Sequence, residues 1–265
     1  MSFILVTNDD GIESPGLRTV VEAMLPLGEV IVAAPSRQQT SAGRSFIGLK
    51  SEYLKELPYS ASGKQVQAYH CDCSPARVIL HAFDVLFNER KPDLVVSGVN
   101  YGENLGTNVT ISGTVGAAIE AAAHGVHGLA VSIQTKIEEH FKYPELAWNA
   151  ARYFTREFAK IILQNELPAD IDVLNVNVPA LATQQTECRW TRLSRFGYFG
   201  NIVKDPQISS RIGDAVCCYG FDESRLEPDS DIFAFRKGLV TVSPISMDMT
   251  SRVNLETLPS CGREV

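Results

Sequence analysis

Short, continuous apolar runs alternate with helix-period stretches along this chain as far as about Pro179. The runs fall at 3–7, 30–34, 94–97, 129–133 and 173–176. They are apolar throughout rather than at every second position, as strands buried on both faces are. Between them come stripes at helical spacing. Leu17, Val20, Val21, Met24 and Leu25 follow Ser14-Pro15, and Val78, Ile79, Ala82, Phe83 and Leu86 follow Ser74-Pro75. A serine and then a proline is a cap followed by a residue suited to the first helical turn. Thr114 opens a third stripe through Val115, Ala118, Ile119 and Ala122, and a longer helix is predicted over 144–164. Pro26, Gly28, Pro92 and Gly125 stand where helices should stop. Strands spaced by helices predict an α/β fold: a mostly parallel sheet with helices on both faces.

Beyond Pro179 the helical period fades, and short strand candidates appear at 216–219 and 239–242. The pattern predicts a catalytic core over 1–179 and a β-rich C-terminal extension over 180–265. A chain of 265 residues, 45% hydrophobic, buries a core of ordinary size without staples.

Charge narrows the partners. Lys and Arg number 24 against 31 Asp and Glu, a formal net charge of -7. Such a chain has no bulk attraction for nucleic-acid polymers or anionic membranes, so a phosphate ligand must be drawn by a local device. No run approaches the ~18 consecutive apolar residues of a membrane span. The first residues, which reach Asp9 and Asp10 without a basic stretch, do not read as a signal peptide. The expectation is a cytoplasmic protein whose cysteines (Cys71, Cys73, Cys188, Cys217, Cys218 and Cys261) are reduced thiols.

In open α/β sheets ligands bind beyond the carboxyl ends of the strands. Asn8-Asp9-Asp10-Gly11 follows the first run, and Thr40-Ser41-Ala42-Gly43 lies in the polar loop after the second. Asn100-Tyr101-Gly102-Glu103-Asn104 follows the run at 94–97. Two adjacent carboxylates at a strand end repel unless a cation sits with them. A hard divalent ion takes carboxylate, amide and hydroxyl oxygens, which Asp9, Asp10, Asn100 and either Thr40 or Ser41 could supply. Asp-Asp-Gly alone would be an ordinary turn; its place after a buried strand favours the site. Ser112-Gly113-Thr114 presents free N–H groups at a helix start, which suits an anion and is compatible with simple capping.

Other motifs are weaker. Cys71-x-Cys73 lacks zinc-site spacing, the five histidines share no motif, and no Gly-x-Ser-x-Gly, P-loop or Gly-x-Gly-x-x-Gly sequence occurs. Glu227, Asp229 and Asp231, interleaved with Pro228 and Ser230, read as a solvated loop.

Three motifs in order, 6–11, the loop after Pro35, and 97–106 running on through 112–118, resemble the SurE family of stationary-phase survival proteins. The likeness is dense over about 1–135 and thinner at 174–179 and 240–244. It implies a Rossmann-like core, a C-terminal extension used in oligomerisation to a homodimer or homotetramer, and 5′/3′-nucleotidase activity on nucleoside monophosphates. It also implies one divalent cation per subunit, Mg²⁺ or Mn²⁺. The implied metal ligands are Asp9, Asp10, Asn100 and, counting from Pro35, Thr40, although residue type would prefer Ser41. Two departures bear on substrate preference: Arg77 stands where the family has an acid, and Ile111 where an aromatic or histidine is common.

The reading is a metal-dependent phosphomonoester hydrolase in which Asp9, Asp10 and Asn100 serve catalysis. Asn8, Asn104, Ser112, Gly113 and Thr114 hold the phosphoryl oxygens. The alternatives are a non-catalytic nucleotide sensor and a phosphatase for other small phosphates or short polyphosphate.

Overall fold

The computed structural model describes residues 1–259 apart from 88, 141, 165 and 166. Its elements begin with β1 (Ser2–Thr7), α1 (Pro15–Met24), β2 (Gly28–Pro35), β3 (Lys55–Glu56), β4 (Ser60–Ala61), β5 (Lys64–Gln65), β6 (Gln67–Cys71) and α2 (Pro75–Val85). β7 (Leu94–Tyr101), α3 (Gly113–Ala123), β8 (Gly128–Ile133), α4 (Asn149–Leu163) and β9 (Val173–Val178) follow. The chain closes with β10 (Cys188–Trp190), β11 (Phe199–Val203), β12 (Ala215–Tyr219), α5 (Asp231–Arg236) and β13 (Val240–Ile245).

The main sheet runs β10-β13-β9-β8-β7-β1-β2-β6-β3. Its central strands, from β6 through β2, β1, β7 and β8 to β9, are all parallel; β13 is antiparallel to β9, and β3 to β6. The order reverses between β1 and β7, the place where such sheets open a ligand crevice. Side chains alternate between the two faces. Ile4 and Val6 pack with α1 and α4, and Phe3 and Leu5 pack with α2 and α3. Both faces are therefore covered, which is why the runs are apolar throughout.

Several elements differ from the sequence expectation. β6 stands outside the pattern of apolar runs. Gln67, Tyr69 and His70 are polar or half-exposed, because only two-residue β3 lies beyond this strand, so no apolar run marks it. β7 continues past Ser97 to Tyr101, with a register irregularity against β8 between Ser97 and Asn100. Such irregularities re-aim side chains near functional sites. The helix expected from Pro144 begins at Asn149. The segment before it is held by tertiary contacts instead: Tyr143 packs on Tyr101 at 5.6 Å between ring centroids, and Trp148 at 5.3 Å. Beyond Pro179, β10 and β13 complete one edge of the main sheet, and β11 and β12 form a separate hairpin. Asp231 is no solvated residue. It is fully buried, and its carboxylate accepts the N–H groups of Gly106 and Ser194 at 2.8 and 2.9 Å. Cys71, Cys73, Cys188, Cys217 and Cys218 are free thiols; Cys261 lies outside the described residues. Among the described residues no helix is long and apolar enough to cross a membrane.

Candidate functional site

The turn after β1 is held by its own first residue. The Asn8 amide donates to the Gly11 carbonyl at 3.0 Å and accepts the Gly11 N–H at 3.2 Å. Gln39 N–H donates to the Asp9 carbonyl at 2.7 Å, which ties the turn to the loop after β2. The chain is thereby fixed with both carboxylates at the sheet's carboxyl edge.

Asp9 faces the start of α3. Its Oδ1 accepts the Thr114 hydroxyl at 2.5 Å. A Cβ on Gly113 would stand 2.7 Å from its Oδ2, so only glycine lets the helix start lie this close. Burial pushes the Asp9 carboxyl up to about 6, against the opposing pull of hydrogen bonds from Thr114. Asp10 is 1% exposed. Burial, and then the charge of Asp9, hold its carboxyl well above the usual carboxylate range. It accepts the Tyr101 N–H at 3.3 Å and the Gln38 amide at 3.1 Å, while the Tyr143 hydroxyl donates to its main-chain carbonyl at 2.7 Å.

Asp9 and Tyr101 border a cleft of about 390 Å³, with Asp10, Gly113 and Thr114 set behind its lining. Thr40, Ser41, Asn100, Asn104 and Ser112 also line it, so the sequence-predicted groups from three strand ends and one helix start meet in one place. Asn100 donates its amide N–H to the Gly102 carbonyl at 2.5 Å, which commits the nitrogen and leaves Oδ1 as the atom a cation would take. Ser112 caps α3 by accepting the Val115 N–H at 3.1 Å. Asn104 is locked below the cleft: its amide donates to Ser132 Oγ at 2.9 Å, and its carbonyl accepts from Asn175 and Asn177 at 2.9 and 3.1 Å. Asn8 is fully buried, with its amide spent on Gly11.

Do these residues suit a divalent cation? Among the described residues neither Asp9 nor Asp10 has a Lys, Arg or His partner, and each is pushed toward its neutral form. No group of three or more His, Cys, Asp or Glu occurs among them either. The donor set is two carboxylates with amide and hydroxyl oxygens, which matches a hard, oxygen-seeking ion and not zinc held by thiolates or imidazoles. A cation here would supply the charge that the buried pair lacks.

Sequence reasoning missed other walls of the cleft. Glu103 is 3% exposed, and burial pushes its carboxyl up to about 7. His140 is held toward its neutral form by burial, its Nε2 is buried without a partner, and its ring meets Phe199 at 5.2 Å. Phe199, Asn201 and Cys217 come from the β11–β12 hairpin. Glu103 could have been found inside the 100–104 motif; the others are far apart in sequence and carry no local signal. Of the two departures, Ile111 lines the cleft, half-exposed. Arg77 is exposed on α2 and is not part of the cleft lining.

Comparison with known proteins gives the family. A family model described as "Survival protein SurE" matches residues 4–199. The chain is 38% identical over 255 residues to a protein named 5′-nucleotidase SurE from Thermococcus kodakarensis, covering 96% of this chain and 95% of that one. It is 38% identical over 266 residues to the protein of the same name from Methanothrix thermoacetophila, covering 96% of each. Among solved structures it is similar to the SurE protein from Aquifex aeolicus, with a TM-score of 0.72 and 28% identity over 93% of this chain and 94% of that one.

Proposed function

The chain belongs to the SurE family, and from that premise we propose how its cleft hydrolyses nucleoside monophosphates. It is a nucleotidase of a metal-dependent family, with the α/β fold of that family. Our assignment of the metal site is one divalent cation, Mg²⁺ or Mn²⁺, held by Asp9, Asp10, Asn100 and Thr40. The observation that carries it is the buried Asp9–Asp10 pair without a counter-charge, facing the start of α3.

When bound, the cation neutralises the phosphate and lowers the pKa of a water at the site. The chain's own groups do the rest. The N–H of Gly113 at the start of α3 and the Ser112 hydroxyl hold phosphoryl oxygens as negative charge grows on them, while the Thr114 N–H is committed to the Asp9 carboxylate. Thr114 also donates to Asp9, so the phosphate cradle and the carboxylate are set by one side chain. Asn104, rigid in its bonds to Ser132, Asn175 and Asn177, braces the opposite wall. Asn8 contributes by fixing the turn rather than through a free amide. The nucleoside end of the substrate lies toward Ile111 and the β11–β12 hairpin.

Two wider assignments go with this reading. We read 1–179 as the catalytic core and 180–265 as an extension that supplies two sheet strands and an oligomer contact. The hairpin shows Ile202, Val216, Ile208 and Ile212 to solvent, an apolar face suited to a second copy in a homodimer or homotetramer. The free thiols support the cytoplasm. The test is phosphate release from nucleoside monophosphates with Mn²⁺, with Mg²⁺ and with chelator. Metal-dependent release is expected; nucleotide binding without turnover would instead establish a sensor.

A further inference from the structure

Residues 36–50, the stretch that carries Thr40 and Ser41, bury almost nothing. Gly43 alone is buried, and Phe46, Ile47 and Leu49 face solvent. With no apolar side chain to anchor it, the segment's position must come from polar contacts: Gln38 and Gln39 bond to the β1 turn, Arg37 to Asp72, Ser45 and Ile47 to Ser74, and the stretch between them, at Gly43 and Arg44, is held to the α3 region. Gly43 N–H donates to the Ile111 carbonyl at 3.0 Å. The Gly43 carbonyl oxygen stands 2.4 Å from where a Cβ on Gly116 would be, so the loop backbone rests directly on the helix. Arg44 Nε–H donates to the Glu120 carboxylate at 2.6 Å. Glu120 is 2% exposed, and the same carboxylate lies 3.3 Å from His124 Nε2, whose ring stacks on Phe83 at 4.6 Å.

A buried carboxylate needs a partner, and here the partner belongs to the loop. The start of α3 carries Ser112, Gly113 and Thr114, and the loop carries the hydroxyl ligand. The pair thus links the phosphate-binding and cation-binding halves of the site. We propose that Arg44 and Glu120 are positioning residues: their ion pair clamps the Thr40–Gly43 loop onto α3 and so sets the cation site. The inference rests on the assignment of Thr40 to that site.

The test compares the full-length protein with Arg44→Gln, Glu120→Gln and the conservative Arg44→Lys. Amide exchange over 36–48 is followed in chelator, Mn²⁺ binding by calorimetry without substrate, and KM and kcat on a nucleoside monophosphate. Both Gln variants should lose protection at the loop and bind Mn²⁺ about tenfold or more weakly, as losses of supporting residues do at metal sites. Arg44→Lys should restore much of both. The double variant should be no worse than either single one, because the two residues act as a unit. Unchanged loop protection and unchanged Mn²⁺ affinity would overturn the proposal. So would a lower melting temperature with Mn²⁺ affinity intact, the mark of a purely structural pair. If Glu120→Gln does not fold, Arg44→Gln decides, since Arg44 is partly exposed and its loss leaves Glu120 the neighbouring His124. Wild-type protein that protects the loop but binds no Mn²⁺ would instead defeat the metal-site assignment, and the proposal with it.

Discussion

The Asp9 carboxylate lies 2.7 Å from the point that a Cβ on Gly113 would occupy. A helix start and a strand end are pressed together there, with no room for one methyl group. Gly113→Ala must push Asp9 aside or displace α3. Alanine is the better helix former by about 1 kcal/mol, so the fold should survive. A shift of an ångström at a reacting centre is costly, and kcat/KM should fall by about tenfold or more. Steady-state kinetics beside a thermal melt will show it; wild-type activity in a folded variant would refute the contact.

Asp9→Asn separates function from stability. The variant should lose metal-dependent phosphate release. It should also gain stability in chelator, because burial disfavours the charged form and pushes this carboxyl up to about 6. Relief of that penalty is worth on the order of 2 kcal/mol at neutral pH. Wild-type protein should instead be stabilised by Mn²⁺, and more at pH 8 than at pH 5, since the carboxylates must shed protons to bind it. Melting curves at both pH values, with Mn²⁺ and with chelator, check the pair of effects. A variant less stable than wild type in chelator would contradict the unpaired-charge account.

How much of this was legible beforehand depends on where each residue's partners are. Asp9 and Asp10 announce themselves because a buried strand ends just before them, and Ser112 because a capping residue precedes an apolar stripe. Ile4, Val6, Leu129 and Val131 reveal the sheet because both of its faces are covered. β6 escapes notice because it lies near an edge, with polar residues that water can reach. Gln38 and Tyr143 escape for a different reason. Gln38 donates both to Asp10 and to the His140 carbonyl, and Tyr143 reaches Asp10 from far along the chain. No local pattern encodes such contacts. The same holds for Asp231, whose acidic, proline-flanked surroundings suggest solvent, although it binds the Gly106 N–H beside the site.

Glu103 should give the metal-free protein a pH dependence of its own. Burial raises its carboxyl from 4.5 to about 7, so the folded chain keeps a proton that the unfolded chain releases. Its contribution is therefore whole below about pH 4.5 and is lost as the pH climbs through 7, by about 3 kcal/mol when ionisation is complete. Glu103→Gln keeps the shape and cannot ionise. In chelator it should flatten the decline in melting temperature between pH 5 and pH 8 and be the more stable protein at pH 8. Equal slopes for the two proteins would show that Glu103 is not held neutral.

Thr40 and Ser41 both line the cleft, and their backbones tell them apart. Ser41 has a φ of 61°, in the left-handed region that glycine adopts without strain. Ser41→Gly therefore removes a hydroxyl while easing the backbone, and Thr40→Ala removes a hydroxyl at a position with no such strain. If Thr40 is the ligand, Thr40→Ala should weaken Mn²⁺ binding, whereas Ser41→Gly should leave it unchanged and hold or raise the melting temperature. Thr40→Ser keeps the ligating oxygen and should restore binding. Calorimetric titration of Mn²⁺ into the three variants settles the choice, and the reverse order would move the ligand to Ser41.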